Sequence, residues 1–180
     1  MRGRRLAALR DLNIRPTSDK VREAVFDLVG QDMTDIKTLD LFAGTGSFGI
    51  EALSRGAPCA LFIDNSPGSI NLVKRNLTLC GCKASGTVIK RDLTRPLTRN
   101  ALLREKGFGL AFIDPPYGKN LVPPVLEELS QRQILASPST VVAESSKMDE
   151  LPVVAGHLKR IDKRIYGDTI ITLYRYEEDQ

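Results

Sequence analysis

Apolar side chains recur along this chain with two different periods, and the periods alternate. Over residues 18–29, SDKVREAVFDLV, Val21, Val25, Leu28 and Val29 fall on one helical face. Ser18 or Asp19 can cap that helix and Gly30 can end it. Residues 37–42, KTLDLF, form an apolar run of strand length. A helix over 47–56, closed by Gly56, comes next, and then a strand over 59–64. Residues 67–80 place Ile70, Val73 and Leu77 in helical phase, and 86–92 return to a strand. A short helix over 97–105, a strand over 109–114, a helix over 121–133 and a strand over 140–145 continue the alternation. The pattern then changes. Residues 158–166 and 169–176 are two extended runs separated by Gly167-Asp168 alone, which is the spacing of a hairpin.

Strands alternating with helices predict an α/β fold: a Rossmann-like, mostly parallel sheet covered on both faces. The closing hairpin adds antiparallel strands at one edge, for seven strands in all. With 180 residues, no internal repeat and no low-complexity stretch, a single domain over 1–180 is expected. A hydrophobic content of 42% and a charged content of 27% are ordinary for a globular chain. No apolar run approaches the roughly 18 residues that span a bilayer. The start MRGRRLAALRDL is basic but lacks a long apolar core and a small-residue cleavage site, so neither membrane insertion nor export is expected and the cytoplasm is. No apolar surface stripe stands out, which favours a monomer. Cys59, Cys80 and Cys82 are odd in number, and with His157 the single histidine no zinc-ligand spacing can be assembled. Reduced thiols and no metal follow.

Charge is concentrated at one end. Residues 1–22 hold seven basic side chains against Asp11 and Asp19, a net of +5, so the rest of the chain, whose total is +4, sums to −1. Residues 1–16 read as a basic arm on a nearly neutral body, which suits a polyanionic partner.

In open α/β sheets the ligand lies beyond the carboxyl ends of the strands. Four predicted strands carry an acid at or near their carboxyl end: Asp40, Asp64, Asp92 and Asp114. One such acid can cap the next helix, but four on one edge repel one another unless donors face them. The first turn, GTGSFG from Gly44 to Gly49, satisfies G-x-G-x-x-G, with Asp64 twenty residues after Gly44. That is the dinucleotide fingerprint, and a nicotinamide oxidoreductase is one reading of it. Asp40 argues against it, because a carboxylate just before the turn repels pyrophosphate and attracts an ammonium. S-adenosylmethionine, with an amino-acid head and an adenosine tail, fits better. Asp40 would lie near its cationic head, and the backbone of Ala43, Gly44, Thr45 and Gly46 along its methionine part. Asp64, with Asn65 beside it, would accept from the ribose hydroxyls. Asp92 would accept from the adenine amine, and Leu93 would donate its backbone N–H to the ring.

The stretches DLFAGTGSFGIEALSRGA at 40–57 and DPPYG at 114–118 resemble the methyltransferases that act on exocyclic or amide nitrogen. RPTSDKVREAVFDLV at 15–29 and YGDTIITLYR at 166–175 narrow the resemblance to the bacterial 16S ribosomal RNA guanine-N2 methyltransferases, those that modify guanine 966 in the usual RNA numbering. It runs from about Arg4 to Arg175. The resemblance implies the class I S-adenosylmethionine-dependent fold, small-subunit ribosomal RNA or its assembling particle as partner, and Arg15, Thr17 and Lys20 close to cofactor or RNA. Arg2, Arg4, Arg5 and Arg10 would contact phosphates. Family members usually begin with an isoleucine- and glycine-rich strand ahead of the basic segment. This chain starts at Met1-Arg2-Gly3-Arg4; if that start is complete, the N-terminal strand or hairpin is shortened.

Within that family, Asp114, Pro115, Pro116 and Tyr117 carry the chemistry. An exocyclic guanine amine is a poor nucleophile because its lone pair is delocalised into the ring. Acceptors facing its two N–H groups free that pair, and the Asp114 carboxylate and Pro115 carbonyl are two such acceptors. The prolines hold both still, and Tyr117 offers a face to a base taken out of its stack. The same chemistry on DNA adenine or cytosine or on a protein glutamine, and a non-catalytic RNA-binding protein on this fold, are the competing readings.

Overall fold

The computed structural model describes residues 19–95 and 107–178. The basic arm and the helix expected over 97–105 lie outside the described residues. In chain order the elements are α1 (Asp19–Val29), β1 (Thr38–Leu41), α2 (Ser47–Ser54), β2 (Ala60–Asp64), α3 (Pro67–Leu79), a 3-10 turn (Lys83–Ser85), β3 (Gly86–Lys90), β4 (Phe108–Ile113), α4 (Val122–Gln131), β5 (Leu135–Ser146), β6 (Val154–Ala155), β7 (Leu158–Tyr166) and β8 (Thr169–Tyr176). The described strands form one eight-stranded sheet in the order β3-β2-β1-β4-β5-β8-β7-β6. The chain divides into two compact units, 1–92 and 93–180.

In the first unit β1 and β2 are buried at every position, as expected of parallel strands covered on both faces. β1 runs parallel to β2 with Asp40 opposite Phe62, and β2 parallel to β3 with Asp64 opposite Lys90. α1 buries Val21, Val25 and Phe26, so Phe26 takes the core place expected of Leu28 and Val29. The Arg55 guanidinium lies 4.5 Å from the centre of the Phe26 ring and pairs with Glu51 at 2.7 Å. Ser66 caps α3 and Pro67 opens it, a favoured start because proline lacks the N–H that would be orphaned there.

In the second unit β4 runs parallel to β5, and β5, β8 and β7 are antiparallel in turn. The hairpin expected from Gly167-Asp168 is present. Two differences from the sequence reading concern this unit. Seven strands were expected and eight are described: β6 is only two residues long and pairs with β7 at Val154↔Lys159 and Ala155↔Leu158. β5 begins at Leu135 rather than 140, passing Pro138 through a register shift against β4 between Phe108 and Leu110. Proline reads as a strand breaker in sequence, and an irregular stretch absorbs it here. No helix among the described residues is long and apolar enough to cross a membrane.

Candidate active site

The glycine turn of the first unit is built by three side chains from outside it. Gly46, at the N-cap of α2, has φ +77° and no side chain to cap with. Asp40 supplies the missing cap from β1: it is 2% exposed, and its Oδ2 accepts from Gly49 N at 2.9 Å. A carboxylate at a helix N-terminus takes an orphan donor and meets the positive end of the helix dipole. Asp64, at the end of β2, uses both oxygens. Oδ2 accepts from Gly44 N at 2.9 Å and Oδ1 from Ser66 N at 2.8 Å, tying the turn to the start of α3. Asn76, fully buried on α3, donates Nδ2 to the Thr45 carbonyl at 2.9 Å. Gly49 is required by packing, since a Cβ there would overlap the Phe62 ring.

Asp40, Ala43, Gly44, Thr45, Gly46 and Asp64 thus come together as one fixed edge. Its acids double as caps, so part of their charge is spent on backbone donors. An ionised carboxylate has about four acceptor positions, and the bonds to Gly44 and Ser66 occupy two of those on Asp64. Asn65 is exposed beside it. Asp92 is half-buried two residues past β3, and Leu93 is buried. Lys20 is exposed on α1. Thr17, Arg2, Arg4, Arg5, Arg10 and Arg15 lie outside the described residues. No group of three metal-ligating side chains occurs among the described residues.

In the second unit β4 ends at Ile113 and the chain passes through half-buried Asp114, buried Pro115, exposed Pro116 and half-buried Tyr117. Gly118 and Asn120 take φ +72° and +47°, which turns the loop into α4. The Tyr117 hydroxyl is the fixed point of this loop. It donates to Glu144 Oε1 at 2.7 Å and lies 2.9 Å from Thr169 Oγ1. Glu144, 6% exposed on β5, and Thr169, 5% exposed at the start of β8, are themselves held in the sheet. Burial is the chief cause that holds the Tyr117 phenol well above its ordinary value; the Thr169 bond opposes it and the Glu144 carboxylate reinforces it. Pro115, Pro116, Tyr117, Glu144, Ser145 and Leu121 line an open depression at this point. Asn76, Glu144 and Thr169 were not among the expected site residues. Glu144 had a signal, as the single charged side chain in the buried run TVVAES.

The chain resembles known proteins over nearly all of its length. A Bacillus subtilis (strain 168) protein named "Putative rRNA methyltransferase YlbH" is 37% identical over 97% of this chain and 94% of that one. The Escherichia coli (strain K12) "Ribosomal RNA small subunit methyltransferase D" is 30% identical over 98% of this chain and 86% of its own. A solved structure described as "Putative methyltransferase yhhF from Escherichia coli" superposes with a TM-score of 0.81 at 29% identity, covering 98% and 93% of the two chains. An RNA methyltransferase from Salinibacter ruber, solved with S-adenosyl-L-homocysteine, shares the fold at 17% identity, TM-score 0.66, over 92% and 95%. The mixed sheet, with a parallel core and antiparallel C-terminal strands, is the class I methyltransferase fold. The chain belongs to the family described as Conserved hypothetical protein 95, whose model matches residues 1–175, and the likeness to the small-subunit ribosomal RNA methyltransferases first visible in its motifs is shown.

Proposed function

We propose that this protein transfers a methyl group from S-adenosylmethionine to the exocyclic N2 of a guanine in small-subunit ribosomal RNA. The observation that carries the reading is the Asp114–Tyr117 loop, with its aromatic anchored through the hydroxyl to Glu144 and Thr169. The names of the relatives support ribosomal RNA as the substrate class.

The residues present fit the donor. Gly44 and Gly46 carry no side chain and sit at positive φ, so a ligand can approach the turn backbone closely. Asp64 retains acceptor capacity for ribose hydroxyls, Asp92 and Leu93 supply an acceptor and a backbone donor for adenine, and Asp40 supplies negative potential for an ammonium. S-adenosylmethionine supplies an electrophilic methyl on a sulfonium. The chain's own part is to prepare the amine. Asp114 and the Pro115 carbonyl accept from its two N–H groups and favour the tetrahedral nitrogen that can attack. Tyr117 stacks on the base, and the two prolines spare reorganisation at the moment of transfer. A C–N bond forms as the C–S bond breaks, the sulfonium becomes a neutral thioether, and the nitrogen loses a proton to Asp114 or to water.

The test is incubation with methyl-labelled donor and unmodified small-subunit RNA, followed by nucleoside analysis. Label in N2-methylguanosine is expected. Label in another nucleoside, or none in RNA, contradicts the proposal.

A further inference from the structure

The stretch YGDTIITLYR stood out in the sequence, yet the chemistry above uses only its Thr169. The sheet register shows what surrounds that residue. Thr169, which holds the Tyr117 hydroxyl, lies directly opposite Tyr166 on β7. Residues opposite one another in an antiparallel pair share a face, and every second residue returns to it. Arg164, opposite Ile171, is therefore next on the face that carries the Tyr117 anchor, and then Asp162, opposite Leu173. Beyond the irregularity between Arg160 and Asp162, Lys159 lies opposite Arg175 on that same face. We propose that this row, Tyr166, Arg164, Lys159 and Arg175, is a landing surface for the RNA backbone flanking the target base. The proposal rests on the reading that RNA is the substrate.

Accessibility and charge support it. Arg164 and Lys159 are exposed, and Tyr166 and Arg175 are half-buried. Asp162 accepts from Nε of Arg164 at 2.9 Å, so the terminal guanidinium nitrogens are the ones offered to a ligand. β7 carries Lys159, Arg160, Lys163 and Arg164 against the single acid Asp162. Among the described residues β6 pairs only with the first two residues of β7, so most of β7 has no strand beyond it there. Cations on an edge are also a general defence against strand-to-strand aggregation. A purely defensive edge has no need to place Tyr166, Arg164 and Lys159 on the face of the Tyr117 anchor, with Arg175 of β8 opposite Lys159. Alternate strand residues are about 6.7 Å apart, a step that extended single-stranded phosphates can follow. The guanidinium fork suits phosphate, and an aromatic ring suits an unstacked neighbouring base.

Three variants of the full chain test this: R164A/K159A/R175A, Tyr166→Ala, and Lys163→Ala, which alters a cation on the opposite face of the same strand. Affinity for an unmodified small-subunit RNA fragment is measured across a salt series, with calorimetric binding of S-adenosylhomocysteine as a second readout. In the triple variant, affinity is expected to fall about tenfold or more and the log–log salt slope to shrink by about 2. Tyr166→Ala weakens RNA binding without changing the slope. Lys163→Ala changes neither, and cofactor binding is unaltered in all three. If wild-type binds RNA and the triple variant binds it equally, or if Lys163→Ala loses as much, the surface is wrongly assigned although the RNA reading stands. If only binding to a protein-bearing particle is lost, the partner is protein and the proposal fails. If wild-type binds and methylates no RNA while still binding cofactor, the functional reading itself fails, and this inference with it.

Discussion

Removing one oxygen atom, in Tyr117→Phe, tests whether the loop is held by its phenol. The variant keeps the ring but loses the 2.7 Å bond to Glu144 and the 2.9 Å contact with Thr169. Hydrogen bonds to a charged group contribute about 1.5–3 kcal/mol, and Glu144, at 6% exposure, would lose the phenol as one of its partners. A loss of about 2 kcal/mol lowers Tm by about 4–8 °C in a chain of this size. The assay is a double-mutant cycle with Tyr117→Phe, Glu144→Gln and the pair, followed by thermal or urea unfolding. Coupling of about 1 kcal/mol or more between the two sites is expected. Additive losses, with Glu144→Gln costing the same whether or not Tyr117→Phe is also present, would refute the anchor. Methyl transfer supplies a second scale. Tyr117→Phe is expected to retain part of it and Tyr117→Ala almost none, with cofactor affinity unchanged in both. Equal loss in the two would assign the effect to the hydroxyl rather than the ring.

Asp114→Ala is expected to remove most methyl transfer while calorimetry shows donor binding nearly intact; near-normal turnover rejects its role as an amine acceptor. Gly49→Ala forces a methyl against the buried Phe62 ring and should cost about 1–3 kcal/mol, read as a lower urea midpoint, despite alanine's better helix propensity. An unchanged midpoint would mean that α2 packs less closely on β2 than described. Burial, the largest cause in each case, raises the phenol of Tyr117 above its ordinary 10.0 and pushes that of Tyr174 up to about 12. Below pH 10 both folded and unfolded chains keep these protons. Above it the unfolded chain releases them first, so stability is full below pH 10 and falls as pH rises toward the folded values. Urea midpoints between pH 9 and 11.5 should decline above 10, and less steeply in Tyr117→Phe than in wild-type.

The sequence made the fold readable where local pattern and burial agree. β1 and β2 are short apolar runs that end up fully buried, and α3 keeps Ile70, Val73 and Leu77 in phase and in the core. The glycine turn was legible because each glycine answers a backbone or packing demand. Asn76 and Thr169 were not, and Glu144 showed only as a lone charge in a buried run, because their partners lie 31, 52 and 27 residues away and only the folded chain brings them together. β6 has no pattern of its own. Two residues become a strand only because the start of β7 offers them a ladder. Helix capping by a strand-end acid could be foreseen in the sequence, but which donors Asp40 and Asp64 take, Gly49 N for one and Gly44 N and Ser66 N for the other, depends on where α2 and α3 begin.

The claim on which the mechanism depends is that the turn from Ala43 to Gly46, with Asp40, Asp64 and Asp92, holds S-adenosylmethionine. Titration calorimetry of the folded protein with the donor and with S-adenosylhomocysteine measures this without any RNA. One-to-one binding of both, accompanied by a rise in Tm and weakened by Asp64→Ala, is the predicted result. No heat and no thermal protection from either ligand would contradict it.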